Sequence, residues 1–259
     1  MSEQETVQQT ALAYQCPEDA LRDRVILVTG AGDGIGRAVS LALAEHGATV
    51  ILLGRTQEKL TAVYDRIVEN GGPEPAMAPV NLEVVTPANC EELADMFARE
   101  FGRLDGLLHN ASLLGDITPL EQYDHGTWDS VMQVNVQATF YLTRALIPLL
   151  RQSADASVLF TSSSVGRKGR AFWGAYAVSK FATEGLMQVL ADEEENISSI
   201  RANSINPCAT RTAMRNRAYP GEDPETLPAP EDIVAPYLYL LGPDSQHVNG
   251  MALNAQERK

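Results

Sequence analysis

"RVILVTGAGDGIGRAVSLALAEHG", residues 24–47, predicts a buried strand, a glycine-rich turn and a helix in direct succession. Residues 24–30 form an apolar run that ends in glycine, which is typical of a buried parallel strand. Residues 35–47 carry apolar side chains at helical spacing and again end in glycine. Glycines in such a turn let the backbone approach a phosphate, and the free N–H groups of the next helix favour an anion. We therefore predict dinucleotide binding at 29–36, against the alternative of a purely structural turn.

The alternation of strand and helix continues along the chain. Further strands are predicted at 48–54, 74–82, 104–110, 157–163, 200–207 and, more weakly, 247–255. Further helices are predicted at 56–72, 87–102, 128–150 and 174–196. This order is typical of βαβ units. We predict an α/β fold, a Rossmann-type doubly wound parallel sheet of about seven strands with helices on both faces.

Two segments, 1–23 and 208–230, differ in composition from the rest of the chain. Residues 1–23 are polar without a clear period, and we interpret them as an N-terminal extension. Residues 24–259 are predicted to form a single domain. Within it, residues 208–230 are rich in loop signals and end in a proline- and acid-rich stretch. Because long loops in α/β domains often cover a site, we expect a substrate loop there.

Charge and cysteine content exclude several classes of protein. The formal net charge is −14, so neither nucleic acid nor an anionic membrane is expected as a partner. The three widely spaced cysteines fit neither a disulfide framework nor a zinc site, and no metal is predicted. The chain shows neither a signal-peptide pattern nor an apolar run long enough to span a bilayer. We expect a cytoplasmic protein.

A tyrosine and a lysine share one face of the predicted helix 174–196. Tyr176 and Lys180 are four residues apart, so their side chains are neighbours on the helix. A free tyrosine has a pKa of about 10, and a nearby ammonium group favours its phenolate. The pair therefore makes chemical sense as an acid–base near neutral pH, although this spacing alone is more typical of ordinary packing.

Taken together, these motifs resemble the short-chain dehydrogenase/reductase (SDR) family. The resemblance rests on T-G-x-x-x-G-x-G at 29–36, on Asn135 in "VMQVNVQATF", and on Ser163 placed 13 residues before Tyr176. It covers about residues 24–254. Within the family, the chain is most like the YciK-type bacterial oxidoreductases. The stretches that carry this closer likeness include "LLGRT" (52–56), "LDGLLHNASLLGD" (104–116) and "TRTAMR" (210–215).

The resemblance implies catalytic roles for four residues. Tyr176 is expected to be the general acid in reduction and the general base in oxidation. Lys180 is expected to lower the pKa of Tyr176 and to hydrogen-bond the nicotinamide ribose. Ser163 is expected to orient the carbonyl, with Ser162 and Ser164 as alternatives. Asn135 is expected to hold a water molecule that relays protons to Lys180.

The resemblance also implies a nicotinamide dinucleotide cofactor and its contacts. No acidic residue follows the second strand to hold a ribose 2′-OH, and Arg55 is suited to a 2′-phosphate. NADP(H) is therefore favoured over NAD(H), unless Arg55 is merely a solvated residue or Asp33 pairs with it or repels the phosphate. Cys208 replaces a usual glycine and would be strained at positive φ. The expected contacts are Gly30, Asp33, Gly34, Ile35, Gly36, Arg55, Asn81, Leu82, Asn110, Ala111, Ser112, Tyr176, Lys180, Pro207, Cys208 and Thr210.

The expected function is hydride transfer between the cofactor and a small-molecule carbonyl or alcohol. Relatives suggest a homodimer or homotetramer built through the helices at 128–150 and 174–196. One alternative is an inactive nucleotide-binding regulator of the same fold. Another is a sugar-nucleotide epimerase or dehydratase of the family's extended branch, which ranks lower because we expect this chain to lack the additional C-terminal substrate domain of that branch.

Overall fold

The computed structural model describes residues 2–257, and seven parallel strands form its sheet. In chain order the strands are β1 Val25–Thr29, β2 Thr49–Gly54, β3 Ala76–Pro79, β4 Gly106–His109, β5 Ala156–Thr161, β6 Ile200–Asn206 and β7 Ala252–Asn254. Their order in the sheet is β3-β2-β1-β4-β5-β6-β7. The chain thus winds outward from β1 in both directions, and the predicted doubly wound sheet is confirmed.

Helices connect the strands and cover the sheet. They are α1 Glu3–Leu12, α2 Gly34–Glu45, α3 Gln57–Glu69, α4 Pro87–Phe101, α5 His125–Met132, α6 Ala138–Leu150, α7 Gly174–Glu194, α8 Ala213–Ala218 and α9 Ala235–Leu241. The helix predicted at 128–150 is α5 and α6, which a π-helical turn at Gln133–Gln137 joins. None of the helices within residues 2–257 combines the length and the apolar character that a membrane span requires.

The inner strand β1 shows why both faces of the sheet are covered. All five of its residues are buried. Ile26 and Val28 belong to one apolar core, whereas Val25 and Leu27 belong to the other. Because successive side chains of a strand point to opposite faces, the two cores lie on opposite sides of the sheet. The continuous apolar run in the sequence follows directly from this double burial.

Helix α1 lies within residues 1–23, for which no helix or strand is predicted from the sequence. Only Val7 and Ala11 of this helix are buried, which leaves too weak a pattern for a sequence-based prediction. Its Gln8 amide pairs with the backbone of Asn254 in β7, donating at 2.8 Å and accepting at 2.7 Å. The side chain thereby supplies the hydrogen bonds that a further strand would otherwise make at this edge of the sheet.

Candidate active site

A cavity of about 500 Å³ opens beyond the carboxyl ends of the strands. This is the edge at which open α/β sheets bind their ligands. Two predicted residues, Gly36 and Asn135, lie outside the lining. The predicted residues that line it are Gly30, Asp33, Gly34, Ile35, Arg55, Asn81, Leu82, Asn110, Ala111, Ser112, Ser163, Tyr176, Lys180, Pro207, Cys208 and Thr210.

The glycine turn between β1 and α2 is held tightly against β4. Gly30 has a φ of +69°, which favours glycine, and a Cβ at Gly36 would come within 2.6 Å of Asn110 Nδ2. Asn110 in turn donates through Nδ2 to the Thr29 carbonyl at 3.3 Å. Asn110 thus fastens the turn to the neighbouring strand, and the predicted glycines stand where a larger side chain would not fit.

Two ion pairs lie where the cavity reaches the end of β2. Arg55 Nη1 lies 2.9 Å from Glu83 Oε2, and Lys59 Nζ pairs with Asp33 Oδ2. Asp33 therefore pairs with Lys59 and not with Arg55, which corrects one of the possibilities open from the sequence. The hydrogen bond from Lys59 is the main cause of the lowered pKa of Asp33. Sequence reasoning missed Lys59, which lines the cavity together with Arg55.

Both ion pairs are open to solvent. The exposed fractions are 63% for the Arg55 side chain and 54% for the Lys59 side chain. Ion pairs at this exposure contribute about 0–1 kcal/mol. Each cation can therefore exchange its carboxylate for a phosphate group at little free-energy cost.

Tyr176, Lys180 and Ser163 converge on the cavity from α7 and the end of β5. Tyr176 and Lys180 are 8% and 4% exposed. Lys180 Nζ lies 5.5 Å from the centroid of the Tyr176 ring and donates to the Thr161 carbonyl at 2.7 Å. Of the three candidate serines, Ser162 and Ser163 line the cavity. Ser163 is the one whose hydrogen bond acts on Tyr176, lowering its pKa.

Burial controls the protonation of this pair. It raises the pKa of Tyr176 to about 12, and hydrogen bonding by Ser163 offsets only part of this rise. Burial also lowers the pKa of Lys180 to about 8. The pKa of Tyr176 is raised because the desolvation of the phenolate outweighs the hydrogen bond from Ser163, and the lowering by Lys180 expected from the sequence stays a prediction. Near neutral pH, Tyr176 is a protonated hydrogen-bond donor.

Asn135 lies at the centre of the π-helical turn and is 3% exposed. Its Oδ1 accepts from Leu113 N at 2.8 Å, and its Nδ2 donates to Leu113 O and to Ser179 Oγ, both at 2.9 Å. Within the described chain, none of the side-chain hydrogen bonds of Asn135 reaches Lys180. The amide connects the segment after β4 to α7, and the water relay to Lys180 stays a prediction.

The segment after β6 closes the cavity on its far side. Cys208 has a φ of +60°, so its backbone is left-handed. Relatives usually carry glycine at this position. A non-glycine residue there is strained by about 1–2 kcal/mol. The Thr210 hydroxyl donates to the Pro207 carbonyl at 3.0 Å and accepts from Gln256 Nε2 at 3.1 Å, so its proton is already engaged. Thr212, which sequence reasoning missed, lies against Gly34 and lines the cavity.

The cavity lining also contains unsatisfied polar groups. Ser112 Oγ and Ser162 Oγ are buried and have no hydrogen-bond partner among residues 2–257. Buried hydroxyls without partners are rare in proteins, so these two are best explained as contacts for a bound molecule. With the glycine turn at one end and Tyr176 at the other, the lining fits a nicotinamide dinucleotide.

Comparison with known protein families shows to which family the chain belongs. A model of the short chain dehydrogenase family matches residues 24–223. The chain belongs to this family. The sequence is also 55% identical over 243 residues to the uncharacterized oxidoreductase YciK of Escherichia coli (strain K12), covering 94% of this chain and 96% of that protein. Both the family and the YciK-type resemblance predicted from the sequence are confirmed.

Two solved structures of similar short chain dehydrogenases contain a cofactor. One, from Shigella flexneri 2a str. 301 and complexed with NADP, is 54% identical, has a TM-score of 0.91 and covers 93% of this chain and 100% of its own. The other, from Escherichia coli CFT073 and complexed with NADPH, is 55% identical, has a TM-score of 0.90 and likewise covers 93% and 100%.

In this short chain dehydrogenase, the wall beside Tyr176 is apolar. Leu114 and Val165 pack against the tyrosine, with Trp173 and Met214 partly buried beside them. The Trp173 and Tyr176 rings are 5.9 Å apart. This wall removes water from the phenol and explains its raised pKa.

His109, at the end of β4, is a structural residue of this fold. It is 6% exposed and stacks on Phe160, with ring centroids 5.0 Å apart. Its Nε2 lies 2.9 Å from Thr143 Oγ1. Because that hydroxyl already donates to the Thr139 carbonyl at 2.8 Å, His109 donates to it and carries its proton on Nε2. Burial lowers the pKa of His109 to about 3.

We expect the buried His109 to make the protein sensitive to mild acid. The unfolded chain takes up a proton near pH 6.5 whereas the folded one resists until about pH 3, so stability falls as the pH falls through this window. At pH 5 this residue should remove about 2 kcal/mol of unfolding free energy. Urea unfolding at pH 7.5 and pH 5 should show a smaller difference for His109→Gln than for the wild type. An equal difference would contradict this assignment.

Proposed function

We propose that this protein is an NADP(H)-dependent oxidoreductase that transfers hydride between the cofactor and a carbonyl or alcohol substrate. The observation that carries the proposal is the convergence of Ser163, Tyr176 and Lys180 on the same cavity as the glycine turn. A site for carbonyl reduction needs hydrogen-bond donors at the carbonyl oxygen and a source of one proton. These side chains supply both.

Near neutral pH the phenol of Tyr176 carries the proton that carbonyl reduction needs. Tyr176, with a pKa of about 12, is the general acid that donates its phenolic proton to the carbonyl oxygen as the alkoxide develops. Ser163 is the second donor to the same oxygen and orients the carbonyl. Lys180 places a positive charge beside the phenol and is available to a ribose hydroxyl. A bound nicotinamide supplies the hydride.

The basic residues at the end of β2 support NADP(H) over NAD(H). Arg55 and Lys59 line the cavity there, and their exposed ion pairs with Glu83 and Asp33 exchange easily for a 2′-phosphate. The bound NADP and NADPH in the similar dehydrogenases of Shigella flexneri and Escherichia coli support the same cofactor here.

A reducing compartment, the cytoplasm, is consistent with the absence of any disulfide within residues 2–257.

A carbonyl-reduction assay with the intact protein tests this proposal. We expect consumption of NADPH, followed by absorbance, with at least some members of a panel of aldehydes and ketones, and a much slower rate with NADH. NADPH binding without turnover of any carbonyl or alcohol would contradict the proposal and favour an inactive nucleotide-binding regulator.

An apolar surface on α6 and α7 supports the proposed homodimer or homotetramer. Val178, Phe181 and Val189 are 44%, 47% and 54% exposed and lie on α7, and Phe140 on α6 is 46% exposed. Positions 178, 181 and 189 recur at helical spacing, so the three side chains form one stripe. A stripe of this kind on a helix is typical of a protein–protein interface.

We expect Phe181→Arg to shift the protein toward the monomer, because it places a charge in the centre of the stripe. Light scattering after gel filtration measures the mass directly. Val84→Arg is the matched control, since Val84 is 71% exposed and lies outside the stripe. A monomeric wild type, or an unchanged oligomer in Phe181→Arg, would contradict this interface.

A further inference from the structure

The mouth of the cavity carries arginines that have no acidic partner. Arg217 lines the cavity from the last turn of α8, and Arg170 reaches the same mouth from the segment before α7. Neither pairs with a carboxylate of residues 2–257. Arg215, which also lines the cavity, is different, because its Nε and Nη2 donate to Glu222 at 2.6 and 2.7 Å.

Such unpaired arginines are unusual in this chain. The protein has 34 acidic residues and only 20 basic ones. Most of the arginines that the structure describes do form an ion pair: Arg22, Arg24, Arg37, Arg55, Arg103, Arg144, Arg151, Arg167, Arg201, Arg211 and Arg215. Two unpaired arginines at one opening therefore form a local positive surface on an acidic protein.

The position of Arg170 is fixed by an aromatic side chain of the cavity. Its Nη1 donates to the Tyr219 hydroxyl at 2.6 Å. Tyr219 is also contacted by Arg215, whose guanidinium carbon lies 3.8 Å from its ring centroid. The Arg215–Glu222 pair thus braces Tyr219, and Tyr219 holds Arg170 at the mouth while leaving its charge uncompensated.

An apolar path leads from this mouth to the reacting centre. The Tyr219 ring lies 5.8 Å from Trp173, and Trp173 lies 5.9 Å from Tyr176. Met214 and Ala218 of α8 pack onto the same wall. A molecule that reaches from Tyr176 to the arginines therefore passes along carbon and ring surfaces before it meets a positive charge.

We propose that the substrate is a carbonyl compound with an apolar body and an anionic group, such as a carboxylate, that Arg217 and Arg170 bind at the cavity mouth. Guanidinium groups suit this role because their donors match the oxygens of a carboxylate. The apolar body lies against Trp173 and Met214, which places the carbonyl at Tyr176. This inference rests on the proposed function and adds the class of its substrate.

Matched pairs of compounds test the anionic group by itself. In turnover, 4-acetylbenzoate and 4-acetylbenzamide present the same aryl ketone with and without a charge. In equilibrium binding to the NADPH-loaded protein, 4-ethylbenzoate and 4-ethylbenzamide give the same contrast in charge and carry no ketone to reduce. We expect the wild type to favour the carboxylate about tenfold in both comparisons. The preference should weaken in Arg217→Gln and disappear in the double variant with Arg170→Gln.

The control variant is Arg99→Gln. Arg99 lies on α4 and is an exposed arginine outside the cavity lining. Its replacement changes the net charge by the same amount as Arg217→Gln. It should keep the tenfold preference. Equal binding of the benzoate and the benzamide by the wild type would overturn the inference, as would a preference that survives in the double variant. If the benzoate binds tightly but no ketone is reduced, the anion site stands and the proposed function fails.

Discussion

Replacing Tyr176 with phenylalanine is expected to lower kcat for carbonyl reduction by about 10²- to 10⁴-fold. The change removes the only group that we assign to donate the proton, while the ring continues to fill its place against Leu114 and Val165. The fold and the cofactor-binding turn should therefore remain, and the dissociation constant for NADPH should change by less than about threefold. Stopped-flow absorbance and fluorescence titration measure the two quantities on the same preparation.

Tyr64→Phe is the matched control for this result. Tyr64 lies on α3 and donates its hydroxyl to Glu74 at 2.6 Å, and it does not line the cavity. Its loss removes the same chemical group from the protein and should leave kcat unchanged. Wild-type turnover in Tyr176→Phe would contradict the assignment of Tyr176 as the general acid. A parallel loss of NADPH binding would instead show that the residue acts by shaping the cofactor site.

The second large effect is expected at the cofactor end of the cavity. Arg55→Ala and Lys59→Ala should each weaken NADPH binding about tenfold, and the double variant about 100-fold, because each removes a charge-assisted contact to the 2′-phosphate. NADH lacks this phosphate, so its dissociation constant should change by less than about twofold. Titration of both cofactors against each variant separates the two cases.

Two further variants sharpen this test. Arg144→Ala removes an exposed arginine that pairs with Glu91 at 3.3 Å, outside the cavity lining, and should leave both cofactors unaffected. Glu83→Gln releases Arg55 from its carboxylate and should strengthen NADPH binding. Equal losses for NADPH and NADH in Arg55→Ala and Lys59→Ala would contradict a 2′-phosphate site at this position.

The sequence was most informative where the chemistry depends on local spacing. The strands could be predicted because their apolar runs, such as Val25–Thr29, are buried on both faces. The shared face of Tyr176 and Lys180 follows from helix geometry alone. The glycine turn could be predicted because Gly30 takes a conformation that favours glycine, and that requirement is visible in the residue type.

What the sequence could not show depends on contacts between distant segments. Lys59 reaches the glycine turn because α3 packs so closely on it that a Cβ at Gly32 would lie 2.9 Å from the Lys59 Cβ. The raised pKa of Tyr176 depends on a wall that Leu114 and Trp173 bring from separate loops. The side-chain amide of Asn135 is held by the backbone of Leu113, which lies 22 residues away in the chain. None of these contacts can be predicted from the spacing of residues within one helix or strand.

The proposed function depends above all on hydride transfer from NADPH to a carbonyl carbon in this cavity. Incubation of the protein with a reducible ketone and NADPH deuterated at the transferred position of C4, followed by mass spectrometry of the product, tests this directly. We predict an alcohol that carries one deuterium on its carbinol carbon, formed at similar rates by the wild type and by Tyr64→Phe and about 10²- to 10⁴-fold more slowly by Tyr176→Phe. An alcohol without deuterium, or the absence of any alcohol from a broad panel of carbonyl compounds, would contradict it.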